Sequence, residues 1–141
     1  MVIGNRIPFY MKLLFISLSV IFFFSSSYSQ DRKVIEKTFP DGSPSLVVFY
    51  NSKGERVREI SYFSNGKKEY DGTFKDGKEN GTFIYWYEDG QKKYEEYYKN
   101  GLAEGKQYEW DPDGQLNKTE IYKQGKLLKT IRSKEGGKEE D

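Results

Sequence analysis

Residues 76–99 read DGKENGTFIYWYEDGQKKYEEYYK. They are preceded by residues 52–75, SKGERVREISYFSNGKKEYDGTFK, and followed by residues 100–123, NGLAEGKQYEWDPDGQLNKTEIYK. The three segments align column for column without a gap. Gly42, Gly66, Gly90 and Gly114 stand 24 residues apart, and Gly77, Gly101 and Gly125 keep the same step. A fixed period of this size marks an array of one supersecondary unit, each unit burying its apolar face against the next. The aromatic columns follow the period: Tyr62, Trp86 and Trp110; Ile60, Ile84 and Tyr108; and Phe74, Tyr98 and Tyr122, extended backwards by Tyr50 into a degenerate first repeat. Gly54 falls one residue late against its column.

Each unit holds two turn signals, such as Asp76-Gly77 and Asp89-Gly90, between runs rich in Tyr, Phe, Ile and Thr. Such runs favour strands, and an Asn-Gly or Asp-Gly pair between them closes a hairpin because Gly accepts positive φ without a Cβ clash. Gly66, Gly77, Gly90, Gly101, Gly114 and Gly125 are therefore expected to be the structural repeat turns. The fold class is all-β, an antiparallel meander of about eight strands over residues 33–132, forming a single twisted or curled sheet.

Side chains alternate between the two faces of a strand, so turn length decides which aromatics share a face. A three-residue loop ending in Gly, with a bulge at that glycine, keeps even-numbered positions together. On that expectation Ile60, Tyr62, Tyr70, Phe74, Ile84, Trp86, Tyr94, Tyr98, Leu102, Tyr108, Trp110, Leu116, Tyr122 and Leu128 form the core face. The odd face carries Glu59, Glu69, Asp71, Lys93, Glu95, Gln107, Glu109 and Asn117, interrupted by Phe83, Tyr85, Tyr87 and Tyr97. These four aromatics have no core to enter on this reading and make the expected contact patch.

At the N-terminus, Arg6 and Lys12 precede the apolar-leaning run Leu13 to Phe24, and Ser27 and Ser29 occupy the −3 and −1 positions of a cleavage site before Gln30. That is the pattern of a secretory signal peptide over residues 1–29, with Met11 an alternative start. The run is too short for a spanning helix, so no transmembrane span is expected in the mature chain. Residues 30–132 supply one domain, and SKEGGKEED, residues 133–141, contains no apolar side chain and reads as a solvated, disordered charged tail.

The chain carries 23 Lys and Arg against 22 Asp and Glu, and removing Arg6 and Lys12 with the signal leaves 21 against 22. That balance argues against a nucleic-acid partner, which calls for a basic stripe. Cys is absent, excluding a lipid-modified cysteine and a disulfide framework, and His is absent too. Without the commonest general base, the thiol nucleophile and most transition-metal ligands, the reading is not an enzyme, with no cofactor and no metal. Glu95 with Glu96, or Glu109 with Asp111, are carboxylate pairs of the type a glycosidase uses. Adjacent strand residues point to opposite faces, however, and the repeat does not reproduce these positions as acids. Asp111 to Asn117 has the composition of a Ca²⁺ loop but the wrong spacing: counted from Asp111, Gly114 is position 4 and Tyr122 position 12.

The Tyr-rich hairpins, the Asn-Gly and Asp-Gly turns, and the G-x-x-x-G spacings Gly77 to Gly81 and Gly101 to Gly105 resemble the MORN repeat variant family over residues 42 to about 130. Within it the chain is most similar to the bacterial YwqK-like proteins, some of them labelled antitoxins. The resemblance implies a scaffold of hairpins used for protein contacts and supplies no catalytic residue. The signal peptide sets this chain apart from intracellular antitoxins. Three functions follow as expectations: an exported scaffold binding an unknown protein partner through the patch or through open sheet edges, an antitoxin or immunity-like protein for one toxin, and a module binding glycan or an envelope surface through the aromatic columns. The expected location is periplasmic or extracellular, after cleavage near Ser29 and Gln30.

Overall fold

The computed structural model describes residues 31–133, so the signal segment and residues 134–141 of the tail lie outside the described residues. The strands are β1 (Arg32–Thr38), β2 (Pro44–Tyr50), β3 (Arg56–Tyr62), β4 (Lys68–Lys75), β5 (Lys78–Glu79), β6 (Gly81–Trp86), β7 (Lys92–Lys99), β8 (Leu102–Ala103), β9 (Gly105–Trp110), β10 (Leu116–Lys123) and β11 (Lys126–Arg132). They form one open antiparallel meander in the order β1-β2-β3-β4-β6-β7-β9-β10-β11, with β5 on β4 and β8 on β7. The main path has nine strands, one more than expected, and β5 and β8 are added because two long hairpin arms are each broken after two residues, at Asn80 and at Glu104.

Two kinds of turn alternate along the repeats. At Gly66, Gly90 and Gly114 the loop has three residues, closed by bonds such as Gly90 N–H to Tyr87 O at 2.9 Å and Tyr87 N–H to Gln91 O at 2.8 Å. Gly42 and Gly54 close loops of the same kind, so the lateness of Gly54 is the one residue by which this loop exceeds the other turn. At Gly77, Gly101 and Gly125 the turn has two residues, with Asp76, Asn100 and Gln124 also at positive φ near 51–52°. That is the type I′ geometry, and a three-residue loop was expected there.

The expected parity fails even where the three-residue loop is present, because a second irregularity follows every turn glycine three residues later. Opposite β6, Trp86 pairs with Lys92 but Tyr85 pairs with Tyr94, leaving Lys93 as an extra residue. Glu69 is skipped between Lys68 and Tyr70, Asn117 between Leu116 and Lys118, and Val57 between Arg56 and Arg58. One inserted residue exchanges the faces of everything beyond it. Odd residues of β6 therefore share a face with even residues of β4 and β7, and Trp86 and Tyr94 lie on opposite faces.

Cross-strand pairing defines the two faces without recourse to parity. One row runs Lys37, Leu46, Ser61, Tyr70, Tyr85, Tyr94, Glu109, Lys118, Arg132. The opposite face carries the row Ile35, Val47, Ile60, Asp71, Ile84, Glu95, Tyr108, Thr119, Ile131. We call these the Tyr85 face and the Ile84 face.

The core is small and uses both faces. Val47, Val48, Ile60 and Phe83 are its buried hydrophobic residues among those described, with Phe83 only 1% exposed. Phe83 stands among Tyr70, Phe74 and Tyr98 on the Tyr85 face, at ring-centroid distances of 6.0, 5.4 and 5.2 Å. Each tilted or edge-on pair of this kind adds roughly 0.5–1.5 kcal/mol beyond simple burial. Gly72 supplies the floor, since a Cβ there would meet the Phe83 ring at 2.5 Å. One repeat later the Phe83 position is Gln107, also buried, whose Oε1 accepts the Tyr97 N–H at 2.7 Å and whose Nε2 donates to Tyr97 O at 2.9 Å. Its amide thus accepts the Tyr97 N–H that the break between β8 and β9 leaves without a strand partner, and shares Tyr97 O with the Glu104 N–H, which donates to it at 2.9 Å.

Candidate functional site

The four aromatics expected to form one contact patch are divided by the sheet. Phe83 is a core residue and not a contact residue, because the extra residues of the hairpins turn its strand face inward. Tyr85 follows on the same face, half-buried between Tyr70 at 5.0 Å and Tyr94 at 6.1 Å. Tyr87 lies at the hairpin end, and its hydroxyl donates to Trp110 O at 2.9 Å across one repeat. Tyr97 pairs with Thr82 on the Ile84 face and is 44% exposed.

The even-numbered core list is redistributed in the same way. Ile60 is buried as expected, but Leu102, Leu116 and Leu128 are exposed. Tyr62, Trp86, Tyr108 and Trp110 are half-buried and sit with Tyr97 on the Ile84 face. That face is therefore an aromatic surface. Its spacing is periodic: Lys68 Nζ lies 5.7 Å from the Trp86 ring, and Lys92 Nζ lies 5.5 Å from the Trp110 ring. Cation–π contacts of this kind hold the rings in place while leaving them open to solvent on one side.

Ion pairs on the Ile84 face include Lys92 with Glu95 and a three-membered cluster at Asp71. Arg58 grips Asp71 with two bonds, Nε to Oδ1 at 2.8 Å and Nη2 to Oδ2 at 2.6 Å, and Lys68 adds a third at 2.7 Å. Burial would raise the Asp71 pKa, but these bonds outweigh it and hold the carboxyl below its usual range. On the Tyr85 face, burial pushes the Tyr70 and Tyr98 hydroxyls well above the ordinary phenol range, reinforced by the neighbouring charge of Glu59 on Tyr70 and of Glu96 on Tyr98.

Between the hairpin ends of successive repeats is a cleft of about 300 Å³ on the Tyr85 face, lined by Phe63, Glu69, Tyr85, Tyr87, Lys93 and Tyr94. Lys93 Nζ sits 5.4 Å from both the Tyr87 and Tyr94 ring centres. Two inserted residues, Glu69 and Lys93, thus face one hollow. Sequence reading missed them as a pair because it placed Tyr94 on the other side; their recurrence three positions past a turn glycine was the available signal. Among the described residues no group of three or more acidic side chains converges as a metal site would require. Of the carboxylates raised as catalytic pairs, Glu95 lies on the Ile84 face and Glu96 on the Tyr85 face. No helix among the described residues is long and apolar enough to cross a membrane.

Ungapped hairpins with a fixed turn, bulge and aromatic ladder define the unit. The sequence pattern of the MORN repeat variant matches it three times, over residues 57–76, 79–100 and 103–124. The chain contains three MORN repeat variants. The matched segments run from β3 to β10, so β1, β2 and β11 flank the MORN repeat variants as outer strands of the same sheet. Among curated proteins, none is similar enough to the chain to count as a relative.

Proposed function

We propose that this chain is an exported, non-enzymatic scaffold whose MORN repeat variants bind a protein partner across the Ile84 face of the sheet. The supporting observation is the single layer. Among the described residues neither a helix nor a second sheet covers that face, and Tyr62, Trp86, Tyr97, Tyr108 and Trp110 remain partly open on it. Trp and Tyr rings are among the side chains that carry most binding energy in protein interfaces. Export rests on the pattern of residues 1–29, and the mature chain would begin near Gln30.

The periodic Lys68–Trp86 and Lys92–Trp110 pairs also support a second reading, stacking against sugar rings of an envelope glycan. One experiment separates the two. Wild type and a Trp86→Ser, Tyr97→Ser, Trp110→Ser variant, both checked for folding, are used to capture partners from envelope and culture fractions and are then applied to a glycan array. A specific protein captured by wild type and lost from the variant supports the scaffold. Glycan binding lost from the same variant supports the second reading, and capture unaffected by the substitutions removes this face from the site.

A further inference from the structure

Both free edges of the sheet are described, β1 at one side and β11 at the other. An edge strand presents unpaired backbone N–H and C=O groups, and natural sheets guard such edges with lysines and bulges. β11 has both devices: Lys126, Lys129 and Arg132 are its only charged residues, and Leu128 is skipped between Leu127, paired with Tyr122, and Lys129, paired with Ile121. Yet every residue of β11 is exposed, and Leu127, Leu128 and Ile131 account for three of the seven exposed large hydrophobic residues. A merely guarded edge has no use for three bare aliphatic side chains. β1 differs, since Glu36 is mixed among its cations and only Ile35 is a large exposed apolar residue there.

The charges decide what fits. A second copy's β11 would set three cations against three cations, and its β1, with Arg32, Lys33 and Lys37 against Glu36, would also oppose like charge. Like charges directly opposite across a strand pair are destabilising, so copies of this chain are not the occupant. We propose that β11 is a docking edge for an extended acidic segment of a partner protein, which adds as a further strand and carries carboxylates and aliphatic side chains on both its faces, because Lys126, Lys129 and Ile131 lie on the Ile84 face and Leu127 and Arg132 on the Tyr85 face. Main-chain hydrogen bonds supply the attachment, Lys126, Lys129 and Arg132 select the acidic sequence, and Leu127, Leu128 and Ile131 take the apolar side chains. This inference rests on the scaffold reading and names the chemistry of a partner, at an edge distinct from the aromatic face.

The test uses the mature chain and a synthetic heptapeptide that places a glutamate opposite each β11 cation and a valine opposite each β11 aliphatic residue, with the counterpart in which lysine replaces glutamate as control, read by fluorescence anisotropy. The acidic peptide should bind about tenfold or more tightly than the basic one, and its affinity should fall as salt rises. A Lys126→Glu, Lys129→Glu, Arg132→Glu variant, shown folded by circular dichroism, should reverse the preference. Equal binding of both peptides, no binding of either, unchanged acidic binding by the variant, or a solution dimer cross-linked through β11 would overturn the proposal. If the charge-reversed variant still captures the wild-type envelope partner, the edge inference fails and the scaffold stands. If wild type captures none, the scaffold reading itself has failed.

Discussion

Tyr85 on β6 stands directly opposite Tyr94 on β7, their ring centroids 6.1 Å apart and edge-on, because the hairpin skips Lys93. Without that extra residue Tyr94 would share a face with Trp86. Lys93→Ala should therefore be well tolerated, within about 1 kcal/mol, since the backbone and not the side chain makes the bulge. Deleting Lys93 should abolish the cooperative urea transition or lower its midpoint far more, because it moves Tyr94, Glu96 and Tyr98 to the opposite face.

Phe83 and Trp86 exchange the roles the sequence suggested for them. Phe83→Ala should cost about 3–5 kcal/mol by chemical denaturation, the range for emptying a buried aromatic site. Half-buried Trp86, lying against Lys68 at the surface, should cost clearly less on replacement by Ala.

Gly72→Ala should destabilise by about 1–3 kcal/mol, because the new methyl would meet the Phe83 ring at 2.5 Å and also collide with the Tyr70 hydroxyl. Phe83→Leu in the Gly72→Ala background should recover part of the loss, and a double-mutant cycle measures that coupling.

Gln107→Leu preserves size but leaves the Tyr97 N–H without the acceptor it has at 2.7 Å. The expected cost is about 1–3 kcal/mol. Hydrogen exchange at the Tyr97 amide should accelerate more than at Glu95, whose strand pairing to Tyr108 is untouched.

Stability should depend on pH at both ends of the scale. Tyr70 and Tyr98 have raised folded pKa values, so their contribution is complete below the unfolded value of 10.0 and is lost as pH rises beyond it. Asp71 has a lowered folded value, so its contribution is present above the unfolded 3.8 and is lost as pH falls below it. Denaturation midpoints of Tyr70→Phe should decline less above pH 10 than those of wild type, and Asp71→Asn should flatten the acid limb.

The period, the hairpin meander and the turn glycines were legible in the sequence because Asn-Gly and Asp-Gly pairs and aromatic runs are local signals. Face assignment was not, because it depends on inserted residues marked only by their place three positions past a turn glycine: Glu69, Lys93 and Asn117 share a column but no chemistry. One missed insertion per hairpin is enough to put Phe83 on the surface and Leu128 in the core. The contact patch failed for the same reason, since Tyr85 and Tyr97 have the same parity but opposite faces. Gln107 was hidden by its polarity, which gives no sign that its amide bonds the Tyr97 backbone.

Hydroxyl-radical footprinting, read residue by residue by mass spectrometry, tests most directly whether the inserted residues place Phe83 and its aromatic cluster on one side and the open aromatic face on the other. Phe83 should be protected, whereas Tyr97, one strand away and 44% exposed, should be oxidised readily. Phe83 labelled as fast as Tyr97 would contradict the face assignment, and with it the aromatic surface on which the proposed binding function rests.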